Sequence, residues 1–332
     1  MLLKLLKKIN LYRLEIFLAL FFLISHLPGL AHEIFNTDVW KWKARSYDFG
    51  QGVFTLDFEK TIQKYHPGVT LMWIGTGAIK VYNLYYDIFQ GHPPIDNSVA
   101  TIFELHFVQK LFLVASISVV LSFTFYVVRE HFGKRVCIFF GVLLILEPFY
   151  YALTRVFHLD GLMSTLMLAS FVWYYHYLQN PKKSRLTLSA LLGGLAFLTK
   201  TSAVYMLPFI LLLSFVDYLQ KNNFSLKNLK IASLFTQFLK PFLIWFLVFC
   251  FTFIVFWPAM WAMPFKALSV IYRGIFTIGV DRGHEQFYFS QFTQDPGFSF
   301  YFVVLALRSS PLLLIESLLS IFIFRHLNKK EK

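Results

Sequence analysis

Residues 65–73 read YHPGVTLMW: a histidine, a proline and a glycine head an apolar run that continues to residue 89. Whether that run crosses a membrane sets the side of every later loop, because each crossing flips the chain. The run contains Lys80, Asn83 and Asp87 beside Thr70, Trp73, Tyr82, Tyr85 and Tyr86. Aromatic and hydroxyl groups of this kind suit a boundary between water and lipid.

The surrounding chain leaves no doubt about the solvent. Of 332 residues, 57% are hydrophobic and 15% charged, and 41 are phenylalanine. A soluble domain cannot hide so much apolar surface, and several windows hold 18 or more nearly uncharged residues. The fold class expected is all-α, a polytopic integral membrane protein. Spans are predicted near 14–31, 105–128, 136–152, 161–178, 186–199, 202–219, 241–257 and 299–323, about eight in number. The N-terminal stretch reads as an uncleaved first span rather than a signal peptide. Cys137 and Cys250 lie in apolar runs and read as small core residues.

Charge asymmetry decides the case of 67–89. If this run does not span and the N-terminus is cytoplasmic, the inner segments are 1–13, 129–135, 180–185, 220–240 and 325–332. They hold 18 of the 31 lysines and arginines. If it spans, REHFGKR and NPKKSR face outward, against the positive-inside rule. The run therefore reads as an interfacial or shallow re-entrant helix, with Pro67 at its first position. Both termini are then cytoplasmic. The net charge of +13 is accounted for by topology, and nucleic acid is not expected as a partner. One domain, 1–332, is expected, with long outer loops 32–104 and 258–298.

The outer loops and joins hold the polar residues that chemistry requires. In the first loop Asn36 or Thr37 is set to cap a short helix. Asp38, Trp42 and Arg45 recur on it at i, i+4 and i+7. The loop's end carries Glu59, Lys60, Lys64 and His66. A solvated amphipathic loop anchored by Trp40, Trp42 and Trp73 is the plain alternative. At the join 148–160, Arg155, His158 and Asp160 stand at a span boundary, where ionisable groups are expensive; snorkelling to the interface is the competing account of Arg155. Lys200 separates two apolar runs and could simply end a helix. In the second loop 264–280 reads as another interfacial helix, followed by Asp281, Arg282, His284 and Glu285. His284 beside Glu285 lacks the i, i+4 spacing of a helical zinc site, so a metal is not indicated by spacing. Gathered on one side, such groups suit a site where cations bind a lipid phosphate and a carboxylate moves a proton. They also suit a transporter vestibule, although few charges or helix breaks lie mid-span.

The ordered set TDVWKWKARS, KYHPGVTLMW, EPFYYALTRVFHLDG, GGLAFLTKTSAVYMLP and FWPAMWAMP with GHEQFYFSQFTQDPGFSFY resembles the dolichyl-phosphate-mannose protein mannosyltransferase group. Its prokaryotic relatives, including aminoarabinose transferase-like enzymes, belong with it to the C-type glycosyltransferase superfamily. The resemblance implies transfer of a sugar from a polyprenyl-phosphate carrier to a lipid, glycan or protein acceptor on the extracytoplasmic side, among membrane lipids. It implies Asp38 as general base and Asp160 as the second acidic group. Lys200 is implied near the donor phosphate, with Arg155, Lys64, His66 and Arg45 as companions. His158, His284 and Glu285 are candidates for acceptor or metal contact, and a divalent metal ion stays open as a cofactor. Many members have Asp-Glu after the first span, where this chain has Asp38-Val39. Many also extend beyond the equivalent of residue 332, which implies a short member or part of a longer chain. A base role for Asp38 further expects an apolar, aromatic setting from Trp40, Trp42 and Tyr65. A lipid-linked saccharide flippase and a non-catalytic membrane scaffold are the alternatives.

Overall fold

The computed structural model describes residues 12–32, 36–94, 98–222, 231–277 and 285–330. Helix α1 (Arg13–His26) precedes α2 (Thr37–Phe54). The latter starts where the sequence sets it: Asn36 stays extended and its side chain accepts the Val39 N–H at 2.8 Å, as an N-cap should. A single 3-10 turn, Phe58–Thr61, leads to α3 (Val69–Phe89).

Helix α4 (Val99–Leu146) folds back on itself at Gly133, whose φ of 84° and ψ of 169° break the helix. Cys137 Sγ donates to the Phe125 carbonyl at 3.4 Å, and the rings of Phe125 and Phe140 lie 6.2 Å apart. In a straight helix residues 12 apart would be separated by ~18 Å. The two arms correspond to the two spans expected before and after REHFGKR. The second ends at Leu146, earlier than expected, because Glu147 leaves the helix and caps a new one. Its carboxylate accepts the Tyr150 N–H, with Pro148 at the first position of α5 (Pro148–Arg155).

From α5 the chain turns by 118° into α6 (Leu159–Gln179). Next come α7 (Lys183–Thr199), a 3-10 turn at Thr201–Tyr205, α8 (Met206–Lys221), α9 (Lys240–Phe256) and α10 (Pro264–Arg273). A small antiparallel hairpin, β1 (Gln286–Tyr288) and β2 (Gln291–Thr293), precedes α11 (Ser299–Arg308) and α12 (Pro311–Lys330). The last two, expected as one span, are bent by 115°, because the residue before Pro311 is kept out of the helical region.

Among the described residues three helices are long and apolar enough to cross a membrane: Ala100–Leu146, Thr201–Lys221 and Ala232–Phe256. Counting each bent pair as one span raises this to five. This is an all-α membrane protein. The helix of 14 residues at α1 and that of 17 at α7 fall short of the ~20 residues that a 30 Å hydrocarbon core requires. Helix α3, although 21 residues long, is not among the apolar spans.

Helices α6 and α7 form the centre and run antiparallel. Ser170 and Ser189 exchange hydroxyl-to-carbonyl bonds at 2.7 and 2.8 Å, and Trp245 of α9 donates to the Ser189 hydroxyl at 2.9 Å. Small polar residues of this kind let apolar helices approach closely. At one end of the pair, His176 bonds His131 at 2.6 Å and lies 3.8 Å from Glu130, which Arg185 also approaches at 3.7 Å. Beside them Arg129 pairs with the buried Glu15 of α1. The other end carries Asp160 and Lys200. A 21-residue helix separates the two ends by ~30 Å.

Over this second end lie α2, α3 and the turn between them. Trp73 donates to the Phe256 carbonyl at 2.8 Å, Trp257 to the Thr61 carbonyl at 3.0 Å, and Lys266 pairs with Glu59. Helix α3 begins at Val69 with Gly68 as its cap, so Pro67 stands before the helix and not at its first position as expected. The reason is a close approach: Gly68 has φ of +65°, and a Cβ there would lie 2.1 Å from the Trp42 ring. Its N–H donates to the Thr199 carbonyl at 3.1 Å. Gly68→Ala is expected to lower stability by about 2 kcal/mol or more, from overpacking and left-handed strain. Thermal unfolding in detergent measures this, and the loss should shrink when Trp42 is trimmed to Leu.

Candidate functional site

Four separated stretches meet above the Asp160 end of the central helices. His158 is the residue before α6, in extended conformation. Its Nδ1 lies 3.1 Å from Asp160 Oδ2, and its Nε2 lies 4.0 Å from Asp38 Oδ2 of α2. The other oxygen of Asp160 accepts from Lys200 Nζ at 2.6 Å. One imidazole thus stands between two carboxylates, and a lysine closes the row.

Lys200 is held from both sides in sequence. Thr199 gives its carbonyl to Gly68, and Thr201 shares a 2.7 Å hydrogen bond with His66 Nδ1. YHPG therefore clasps the α7 terminus around Lys200. The Asp160, Lys200 and His158 side chains are each between a fifth and a third exposed, so the row is sheltered and still reachable. Burial lowers the His66 pKa to about 4, and the Lys200 charge lowers it further than Asp160 can offset. His66 is accordingly neutral at physiological pH.

Asp38 differs from the expectation of an aromatic, apolar setting. Its side chain is 56% exposed and lies 3.2 Å from Lys41. Trp42, from the same face, turns inward and is buried under Gly68. Arg45 stacks on the Trp42 ring at 4.5 Å and feels the Asp38 charge. The setting of Asp38 is polar because the first turn of α2 points past the helix layer into the open.

The remaining predicted residues fall outside this row. Arg155 donates to the Tyr151 hydroxyl and to the Pro28 carbonyl, each at 2.7 Å, so it braces the α1 terminus against α5. Lys64 and Glu285 are exposed, and His284 lies outside the described residues. Among those described, no three His, Cys, Asp or Glu converge as a set of metal ligands.

Other contributors were not singled out in the sequence. Thr201 is one, and its signal was its place beside Lys200. Away from the row, Lys43 was also passed over: it is 8% exposed, donates to the Ile102 carbonyl at 3.4 Å, and has its pKa lowered to about 8 by burial. The first arm of α4 likewise holds buried His106, Gln109 and Lys110 outside the row. Hydropathy averages hid those on α4, since one polar residue per turn barely dents an apolar window.

Residues 96–245 match the dolichyl-phosphate-mannose-protein mannosyltransferase family. The match supports a membrane glycosyltransferase of the mannosyltransferase-like kind. It covers Arg155, His158, Asp160 and Lys200, and stops short of Asp38 and His66. No curated protein and no solved structure matches the chain.

The His66 pKa generates a pH prediction. A histidine depressed from 6.5 to about 4 on folding stabilises the fold above pH 6.5 and loses that contribution as pH falls towards 4. His66→Gln, which keeps a hydrogen-bonding partner for Thr201, should flatten part of the fall in Tm over that window. An unchanged Tm–pH profile would count against a buried, neutral His66.

Proposed function

We propose that this chain transfers a sugar from a polyprenyl-phosphate carrier to a hydroxyl on a lipid, glycan or protein acceptor, at the extracytoplasmic face of the membrane. The observation that carries the reading is the row Asp38–His158–Asp160–Lys200, drawn from three distant stretches and clasped by a fourth at His66. It lies at the end of the central helices opposite the arginine-bearing turns around Glu130 and Arg185. Basic turns favour the cytoplasm, which supports a row that faces outward, termini that face inward, and one multi-pass domain.

The chemistry follows from the charges. The acceptor oxygen bonds to the anomeric carbon, and the bond from that carbon to the phosphate oxygen breaks. The phosphate leaves with the electron pair, and Asp38 takes the acceptor proton. Asp38 is reachable by an acceptor because it is exposed, and His158 beside it can share the proton. Lys200 has N–H donors beyond the one that Asp160 occupies, and these suit a phosphate whose charge grows in the transition state. Asp160 orients both His158 and Lys200, while Arg45, Lys64 and Arg155 supply positive potential at longer range.

Membranes carrying Asp38→Asn and supplied with radiolabelled carrier-linked sugar should lose transfer by about 10²-fold or more. Transfer at the parental rate with normal expression would remove Asp38 from its role. Transport of intact carrier without bond cleavage, insensitive to Asp38, would instead indicate a flippase. For topology, a cysteine placed at residue 64 should react with impermeant reagent from outside, and one at residue 183 from inside only.

A further inference from the structure

Beyond the proposed transfer site, α3, the start of α4 and residues 31–32 line a separate open cavity of about 750 Å³. Its walls are the rings of Tyr82, Tyr85, Tyr86, Phe103 and Phe107, and its acidic group is Glu104. The Tyr82 and Tyr86 hydroxyls both donate to one oxygen of Glu104, at 2.8 and 2.7 Å. Two donors on a single oxygen fix the carboxylate's orientation and leave Oε1 outside that pair of bonds. Tyr85, Phe103 and Phe107 are exposed at the rim, as is Val81 beside them, so the cavity opens across an apolar surface. No lysine or arginine lines it.

A carboxylate held among aromatic faces selects a positive ligand. Ring faces attract ammonium groups within about 6 Å of the centroid, more strongly when water is excluded. An anion alone finds no lysine or arginine here, while His32 on the wall can accompany a phosphate that an ammonium brings with it. The apolar rim further selects a ligand that carries hydrocarbon. From the fixed carboxylate, the ring walls and the apolar mouth, we infer that this cavity binds the ammonium headgroup of a zwitterionic phospholipid, of the ethanolamine type. The lipid docks where α3 meets α4 and does not depend on the glycosyltransferase reading. Its seat also gives a use to Glu104, an exposed carboxylate at the head of an apolar helix that two tyrosines of α3 hold in place.

The test uses the full chain in detergent and native mass spectrometry. Phosphatidylethanolamine, phosphatidylglycerol and N-acetylated phosphatidylethanolamine with the same acyl chains are offered in equal amounts. The expected result is a preference of about tenfold for the free amine over both others. Glu104→Gln keeps an oxygen for the two tyrosine hydroxyls and should abolish the preference while leaving Tm nearly unchanged. Should that variant fail to fold, Phe107→Ala, on the exposed wall, should still reduce the preference severalfold. Equal retention of the three lipids, or equal retention of the acetylated form, overturns the proposal. Displacement of the lipid by soluble phosphoethanolamine at the same concentration also overturns it, since the ligand would then be a free amine.

Discussion

The close contact of Gly68 with the Trp42 ring and the Thr199 carbonyl is the constraint on which the upper half of the molecule rests. A side chain at this position has nowhere to go, and the left-handed backbone directs the preceding residues back over the α7 terminus. Because α2, α3 and α7 meet there, the contact sets three things together. It places the face of α2 that bears Asp38, it puts His66 on Thr201, and it fixes the turn that presents Lys200. A shift of an ångström at Gly68 would move parts of the row relative to one another, which is the kind of misplacement that costs positioning enzymes large rate factors.

The row itself joins two electrostatic styles. Asp160 and Lys200 form a sheltered pair, whose mutual neutralisation lets both sit at the edge of an apolar helix bundle. Asp38 stays in the open with Lys41. His158 spans the boundary between them. One imidazole thus lies between a solvated carboxylate and a partly sheltered ion pair.

Much of this was legible in the residues, and what was not has physical causes. The Asn36 cap and the fold-back at REHFGKR follow from local chemistry: a capping amide, and a cluster of arginine and lysine around a glycine. Asp160 and Lys200 could be named because an ion inside an apolar run has to find a partner. The breaks at Glu147 and Ser309 were missed because hydropathy is blind to backbone direction; the carboxylate cap and the following proline decide them. The exposure of Asp38 and the bracing role of Arg155 were missed as well. Helical spacing assigns a face but does not say how far a first turn projects, nor that the Pro28 carbonyl lies within reach of a guanidinium. The orientation of His158 depends on an extended residue at a 118° bend, and no periodic pattern encodes such a point.

The buried pairing of Glu15 with Arg129 has a consequence for the order of events during synthesis. Glu15 lies in the first turn of α1, yet its cation comes from the far end of the first α4 arm, more than a hundred residues later. Until that arm has been made, Glu15 lacks the buried partner it has in the finished fold, so the contact between α1 and the first α4 arm is one that only the completed hairpin can supply.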